Sequence, residues 1–221
     1  MFCFIKDWFS QRDKNIQQTK TMENKDILVL LVNCHGVNTP GKRSPDGKFR
    51  EYSWGREINK MILEKLYTLG IKSIIVNPDE KEENLHVTAR KANELYQKYK
   101  SQYKEIILLS PHVNAGPKSE WSNARGWCGY VYNKASAKSR KLVTILSDMA
   151  YNTYHLRGNR SVPSEGYYQA NFCIVRETVM PAVLTENLFM TNHDDVEFLS
   201  SKGGKEIIRD LHVNSILEFI K

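Results

Sequence analysis

Apolar and polar residues alternate along the chain in two patterns, one typical of buried strands and the other typical of amphipathic helices. The apolar run ILVLLVN at 27–33 predicts a strand that is buried on both faces. Ile58, Ile62 and Leu66 recur four residues apart, which predicts a helix with one buried face. The same criteria predict strands at 27–33, 71–76, 105–110, 126–132, 171–176 and 181–185, and helices at 51–69, 83–102, 135–154 and 203–221.

This alternation predicts an α/β fold with a mostly parallel, twisted sheet of about six strands and helices on both faces. The 221 residues suit one domain, which we place at 26–221. Residues 1–25 are predicted to be an N-terminal extension and linker, with a membrane-surface anchor as the alternative. Their apolar stretch is too short for a secretory signal peptide. No apolar run in the chain approaches the roughly 20 residues of a membrane span.

The chain is basic, with a formal net charge of +7 and a pI near 9.1. This charge suits an anionic partner such as nucleic acid, an anionic lipid surface or an acidic wall polymer, although a solvated lysine surface explains it equally well. No nucleic-acid-binding motif or basic stripe with interleaved aromatics accompanies the charge, which argues against nucleic acid. The four cysteines form no C-x-x-C pair, so neither a zinc finger nor a disulfide framework is indicated.

Candidate chemistry lies where the predicted strands end, because ligands of such sheets bind outside the carboxyl ends of the strands. His35 follows the first strand, His112 follows the third and Glu186 follows the last, while Glu51 opens the first helix. Two histidines and one carboxylate around an open position make a catalytic zinc site. His35, Glu51 and His112 fit that ligand set, and Glu186 fits a general base acting on the bound water.

Each of these residues also has an ordinary structural interpretation. His35 could be a hydrogen-bonded histidine at a strand end, and Glu51 an acid that stabilises the first turn of a helix. Glu186 is the hardest to explain in this way, since burying an unpaired carboxylate at the end of an apolar strand costs several kcal/mol. We predict that the other four histidines are structural or solvent-exposed. His193 lies beside a predicted helix cap led by Asn192 or Thr191. The other three are predicted on helical or loop surfaces without an acidic or histidine partner at ligand spacing: His86, His155 and His212.

Four segments together resemble one protein family. They are VNCHG, FREYSWGREI, LLSPHVNAG and CIVRETVMPAVLTENLFMTNHDD, which contain His35, Glu51, His112 and Glu186 respectively. This order resembles the zinc-dependent N-acetylmuramoyl-L-alanine amidases (Amidase_3) of bacterial wall remodelling and phage endolysins. The resemblance covers roughly 26–221, and the last segment is the most specific part of it.

The resemblance implies hydrolysis of the amide bond between N-acetylmuramic acid and L-alanine in peptidoglycan. It also implies that His35, Glu51 and His112 hold Zn²⁺ and that Glu186 is catalytic. The chain would then be a bare, monomeric catalytic domain at 26–221, with peptidoglycan as partner and without nucleic acid or a membrane span. Two departures are visible: Gly36-Val37-Asn38 replaces the usual Gly-Gly with its acidic turn, and Pro111 precedes the second histidine.

Other functions stay open at this point. Another zinc amidohydrolase of the same fold would use the same residues, whereas a metallocarboxypeptidase would carry a short H-x-x-E that His35 lacks. A non-catalytic peptidoglycan-binding protein on this fold would be expected to lack one of the four site residues. With no signal peptide visible, we expect synthesis in the cytoplasm, action on the cell wall, and release by a phage holin.

Overall fold

Six strands form a single sheet in the computed structural model, which describes residues 26–118, 120–159 and 161–221. The proposed extension at 1–25 lies outside the described residues. The strands occur in the order β2-β1-β3-β6-β4-β5 across the sheet. Their bounds are β1 Ile27–Leu31, β2 Lys72–Ile75, β3 Glu105–Asn114, β4 Trp127–Val131, β5 Tyr168–Gln169 and β6 Ala182–Phe189.

The sheet is mostly parallel, as predicted. β1 lies between β2 and β3 and runs parallel to both, and β3 is parallel to β6. β4 is antiparallel to β6, and the two-residue strand β5 is parallel to β4. The α/β class and the six-stranded sheet are therefore confirmed.

Helices cover both faces of this sheet. Their bounds are α1 Glu51–Thr68, α2 Leu85–Tyr99, α3 Ala137–Asp148, α4 Cys173–Arg176, α5 His193–Ser200 and α6 Lys202–Phe219, and a π-helical turn at Met149–Thr153 extends α3. Gly70 ends α1 as its position predicts, with a φ of 73° that favours glycine. Within the described part of the chain, no helix is both long and apolar enough to cross a membrane.

Alternate residues of the central strands pack into two separate hydrophobic cores, one on each face of the sheet. Val29 and Leu31 pack with α1, α3 and α6, whereas Leu28 and Leu30 pack with α2 and α4. All four side chains are fully buried. This two-sided burial explains why the strand sequences are continuous apolar runs instead of alternating ones.

One predicted strand is wrong. Residues 171–176 form the short helix α4, in which the N–H groups of Arg176 and Glu177 donate to the carbonyls of Phe172 and Cys173. Ile174 and Val175 are β-branched, which favours a strand, but the core position outweighs that preference. The sixth strand is instead β5, which precedes this segment.

Two other predicted strands end too early. β3 continues to Asn114 and β6 continues to Phe189, so that His112 and Glu186 lie within the strands and not beyond them. The two strands pair past their apolar stretches, and His112 is the register partner of Glu186. The sheet itself therefore sets the spacing of these two side chains.

Candidate metal centre

The centre of the candidate site is the carboxylate of Glu51, the first residue of α1. Its side chain is 1% exposed, so it does not serve as a solvated acid at a helix end. The Val113 backbone N–H donates to Oε1 at 3.1 Å. Among the described residues, none donates a hydrogen bond to Oε2. A buried carboxylate with one unsatisfied oxygen calls for a positively charged partner.

A histidine nitrogen faces each oxygen of this carboxylate. His112 Nδ1 is 3.1 Å from Oε1, and His35 Nε2 is 3.5 Å from Oε2 of Glu51. The two imidazole rings are perpendicular, with centroids 5.1 Å apart. The fold thus brings together the three side chains that the sequence predicts as ligands, although they come from 35, 51 and 112.

Glu186, the fourth predicted residue, lies in the strand beside His112. The pairing of β3 with β6 places it opposite His112, and the pairing of β4 with β6 places it opposite Cys128. Glu186 and the three candidate ligands line one cavity of about 430 Å³. The four side chains therefore lie around one shared cavity.

The loop that carries His35 is held in an uncommon backbone conformation. His35 has a φ of 43°, in the left-handed region that few residues other than glycine adopt. Arg56, one turn into α1, donates to the carbonyl oxygens of Cys34 and His35 at 3.3 and 3.0 Å. These bonds satisfy the carbonyl groups of the strained turn and link it to α1.

A carboxylate that the sequence analysis missed fixes the ring of His35. Glu82 Oε1 accepts from His35 Nδ1 at 3.3 Å, which leaves Nε2 directed at Glu51. Such a contact selects the tautomer and orientation of a metal-binding histidine. The sequence did contain a sign of this role. Glu82 follows β2, the neighbour of β1, and ligands of such sheets bind outside the carboxyl ends of the strands.

Neighbouring residues hold Glu82 in turn. The Thr39 hydroxyl donates to Glu82 Oε2 and accepts from the Gly36 N–H, and the Glu82 N–H donates to Asn38 Oδ1 at 2.7 Å. A Cβ on Gly36 would lie 2.0 Å from the Glu82 nitrogen, so only glycine fits between the two segments. The loop that replaces the family's usual Gly-Gly and acidic turn is therefore the segment that holds Glu82 in place.

The residues present fit a zinc ion. Two imidazoles and one carboxylate are ligands of catalytic zinc sites. Cys34 Sγ also lies close to Glu51 and His112. However, this thiol donates to the Glu51 carbonyl oxygen at 3.4 Å, and burial raises its pKa well above the ordinary value. It also packs tightly against α1, since a Cβ on Gly55 would lie 2.3 Å from its sulfur.

The ionisation of these groups is coupled. Burial alone would raise the pKa of Glu51, but the hydrogen bond from His112 and the charges of both histidines pull it below the ordinary value. Burial opposes charge on His112, yet the Glu51 carboxylate raises the pKa of His112 above its usual range. Burial lowers the pKa of His35. A cation that binds here must displace the proton that Glu51 favours on His112, so its affinity falls in acid.

A buried polar network supports the strand behind the site. Asn187 Nδ2 donates to the His112 carbonyl oxygen and to Thr185 Oγ1, both at 3.0 Å. Thr185 Oγ1 lies 2.9 Å from His212 Nε2, and His212 Nδ1 lies 2.8 Å from the Ile208 carbonyl oxygen. Since that carbonyl only accepts, Nδ1 carries the proton and Nε2 accepts from Thr185. Burial lowers the pKa of His212 to about 4.

The remaining histidines differ in part from expectation. His155 is exposed as predicted, and His193 follows the predicted cap Asn192. His212, predicted on a helical or loop surface, is instead fully buried in α6. His86 was predicted to lack an acidic partner, but its Nδ1 lies 2.7 Å from Glu177 Oε2. The two residues are 91 positions apart in the sequence, so no local pattern indicates the contact.

Comparisons with known proteins give a consistent result. A family model described as N-acetylmuramoyl-L-alanine amidase (Amidase_3) matches residues 29–218. The endolysin of Bacillus phage SPP1 is 29% identical over 163 residues, which cover 73% of this chain and 54% of that protein. The N-acetylmuramoyl-L-alanine amidase CwlM of Bacillus licheniformis is 32% identical over 109 residues, which cover 49% of this chain and 38% of that protein.

Solved structures show the same fold. An N-acetylmuramoyl-L-alanine amidase from Clostridium difficile 630 superposes with a TM-score of 0.75 at 22% identity, covering 88% of this chain and 97% of that one. Ami1 from Mycobacterium smegmatis gives 0.75 at 17% identity, covering 90% and 98%. The chain spans about half or less of the length of the curated relatives named above, but nearly all of these solved chains.

Proposed function

Because the chain belongs to the N-acetylmuramoyl-L-alanine amidase family, we propose that it hydrolyses the amide bond between N-acetylmuramic acid and L-alanine in peptidoglycan. One observation carries the proposal: the buried Glu51 carboxylate has a histidine nitrogen near each oxygen, with Glu186 on the adjacent strand. Metal-assisted hydrolysis needs such a ligand set, an accessible cavity and a nearby base.

Five side chains have roles in this reaction. His35 Nε2, His112 Nδ1 and the Glu51 carboxylate would hold the zinc ion, and Glu82 keeps Nε2 of His35 directed at Glu51. Bound zinc supplies a Lewis acid that polarises the scissile carbonyl and lowers the pKa of water. Glu186 takes a proton from the attacking water and then gives it to the departing amine of L-alanine.

The test is product identification after digestion of purified peptidoglycan sacculi. Wild-type protein with zinc should release stem peptides that begin with a free L-alanine amino group, detected by mass spectrometry. Zinc-stripped protein and Glu186→Ala should release none. Cleavage at another bond would replace the substrate assignment with a different zinc hydrolase. Binding to sacculi without cleavage by the zinc-loaded protein would indicate a non-catalytic wall-binding protein.

The biological role we assign is lysis of a bacterial host by a phage, in preference to wall remodelling. The support is the similarity to the SPP1 endolysin, together with a net charge of +7 that suits anionic wall polymer. The protein would be made in the cytoplasm, reach the wall when a holin permeabilises the membrane, and act as a monomer. Expression in a susceptible host should reduce turbidity only when a holin is co-expressed, and lysis without one would contradict release by that route.

A further inference from the structure

A second group of metal-binding side chains lies beside the same cavity. His86, Cys173 and Glu177 place one nitrogen, one sulfur and one oxygen within 4.8 Å of one another. His86 Nδ1 is 2.7 Å from Glu177 Oε2 and 3.7 Å from Cys173 Sγ. Cys173 itself lines the cavity, so the group belongs to the cavity wall and not to a remote surface.

The three side chains lie in or directly next to two helices, α2 and α4, which contact each other here. His86 lies in the first turn of α2, where its N–H donates to the cap Asn84 at 2.9 Å. Cys173 is the first residue of α4, and Glu177 is the residue directly after the helix ends. Asn93 of α2 joins the two elements a second time, because its side chain donates to the Glu177 carbonyl oxygen at 2.8 Å. The backbone positions of the three donors are thus fixed by contacts that do not involve the donors' side chains.

The charge of the group favours a cation. Glu177 Oε1 pairs with Arg176 at 2.6 Å, which leaves Oε2 facing His86. Hydrogen bonds from Arg176 and His86 hold the pKa of Glu177 at about 2, so the carboxylate stays ionised. Burial and the nearby Glu177 charge raise the pKa of the Cys173 thiol. A bound cation would replace the thiol proton and offset the repulsion between the thiolate and the Glu177 carboxylate.

We infer that His86, Cys173 and Glu177 bind a second divalent cation of the zinc class. Imidazole, thiolate and carboxylate together select a borderline-soft ion such as Zn²⁺ over Mg²⁺ or Ca²⁺. Binding releases the thiol proton to solvent, moves the His86 proton from Nδ1 to Nε2, and forms one bond from each of the three donors. The ion joins α2 to α4 next to Leu85 and Phe172, which also line the cavity, and so fixes that wall.

The probe is Co²⁺ added to the metal-stripped full chain, because a sulfur ligand gives cobalt an intense near-ultraviolet charge-transfer band that nitrogen and oxygen ligands do not give. The wild type should bind two Co²⁺ per chain and show this band. Cys173→Ser should bind one Co²⁺ and lose the band. His86→Gln changes an exposed residue and leaves every thiol in place. This variant should also lose one bound Co²⁺.

Three further variants separate this site from the first. Cys3→Ser and Cys34→Ser should each keep two Co²⁺ and the band. Glu51→Gln should lose the other cation and keep the band, whether or not the protein cleaves peptidoglycan. The second site is disproved if the wild type binds a single cation that Cys173→Ser leaves unchanged. It is equally disproved if the band disappears in Cys34→Ser but persists in Cys173→Ser, since the sulfur ligand would then belong to the first centre.

Discussion

The two halves of the candidate centre are positioned in different ways. His112 and Glu186 lie inside neighbouring strands, where the parallel pairing of β3 and β6 sets their spacing. His35 lies on a loop beyond β1, in a left-handed backbone conformation, and its ring is directed by Glu82. We call these the strand half and the loop half of the site.

The difference lies in what each half depends on. Main-chain hydrogen bonds along two central strands fix the strand half, and changing one side chain leaves those bonds intact. The loop half depends on a few side-chain contacts around Glu82 and Arg56. Substitutions outside the ligand set should therefore lower metal affinity on the loop half, and should lower fold stability or reaction rate on the strand half.

The largest expected effect is on the strand half, in Glu186→Gln. The amide keeps the shape of the side chain but cannot accept a proton from water, so the hydrolysis rate should fall about 10²–10⁴-fold. The rate of release of stem peptides from sacculi measures this directly. Zinc content should stay at the wild-type value, because the strand pairing and the three ligands are unchanged. Loss of zinc together with activity would instead make Glu186 a ligand.

The next effect concerns stability in acid and the buried His212 behind β6. Its pKa is about 4 in the folded protein against 6.5 in the unfolded chain. The unfolded state therefore binds the proton first, and folding stability falls as the pH drops from about 6.5 to about 4. The loss attributable to His212 is about 3 kcal/mol. Urea unfolding at a series of pH values should show a shallower decline in His212→Gln than in the wild type.

His155→Gln is the matched control for that measurement, because His155 is exposed. Its pH profile should follow the wild type throughout. An unchanged slope in His212→Gln would mean that other groups cause the acid sensitivity. It would also mean that the network from His212 through Thr185 to Asn187 has no part in it.

On the loop half, Glu82→Gln should lower zinc affinity about 10–100-fold, the usual cost of losing a carboxylate partner of a metal-binding histidine. Competition with a chromophoric chelator measures this. At saturating zinc, the rate should return close to the wild-type value, because Glu82 touches His35 and not the reacting bond. Glu80→Gln is the control, since Glu80 contacts the loop through its backbone carbonyl oxygen, which accepts from the Val37 N–H. A rate defect that zinc does not rescue would place Glu82 in the reaction itself.

The sequence predicted candidate residues in both halves, but it missed the carboxylate that orients the ring of His35 in the loop half. Burial on both faces makes β1, β3 and β6 recognisable as apolar runs, and the strand-end rule then points to His112 and Glu186. The strand-end rule also applies to Glu82, but no local pattern pairs it with His35, because the two residues lie on loops 47 residues apart.

The same reason explains the errors in the fold. The β-branched pair Ile174–Val175 resembles a strand, and only the tertiary position of α4 shows otherwise. His212 was predicted on a surface because the partners that stabilise its burial are not visible in the local sequence. They are the hydroxyl of Thr185, 27 residues away, and the backbone carbonyl of Ile208. Local patterns report burial and periodicity, whereas these contacts exist only once the chain has folded.

The smallest expected effects separate the two halves most cleanly, because one chemical change can be made in each. Thr39→Val removes the hydroxyl that binds Glu82 and the Gly36 N–H. At about 0.5–1.5 kcal/mol per hydrogen bond, zinc affinity should fall a few-fold, with little change in the urea midpoint.

Thr185→Val removes the buried hydroxyl between His212 and Asn187. That change should lower the urea midpoint, because two buried hydrogen bonds are lost, and it should leave zinc affinity at the wild-type value. Thr39→Ser keeps the hydroxyl and should restore the affinity. Equal losses of affinity in the two valine variants would show that the strand half also depends on its side-chain network, and that backbone pairing alone does not position His112.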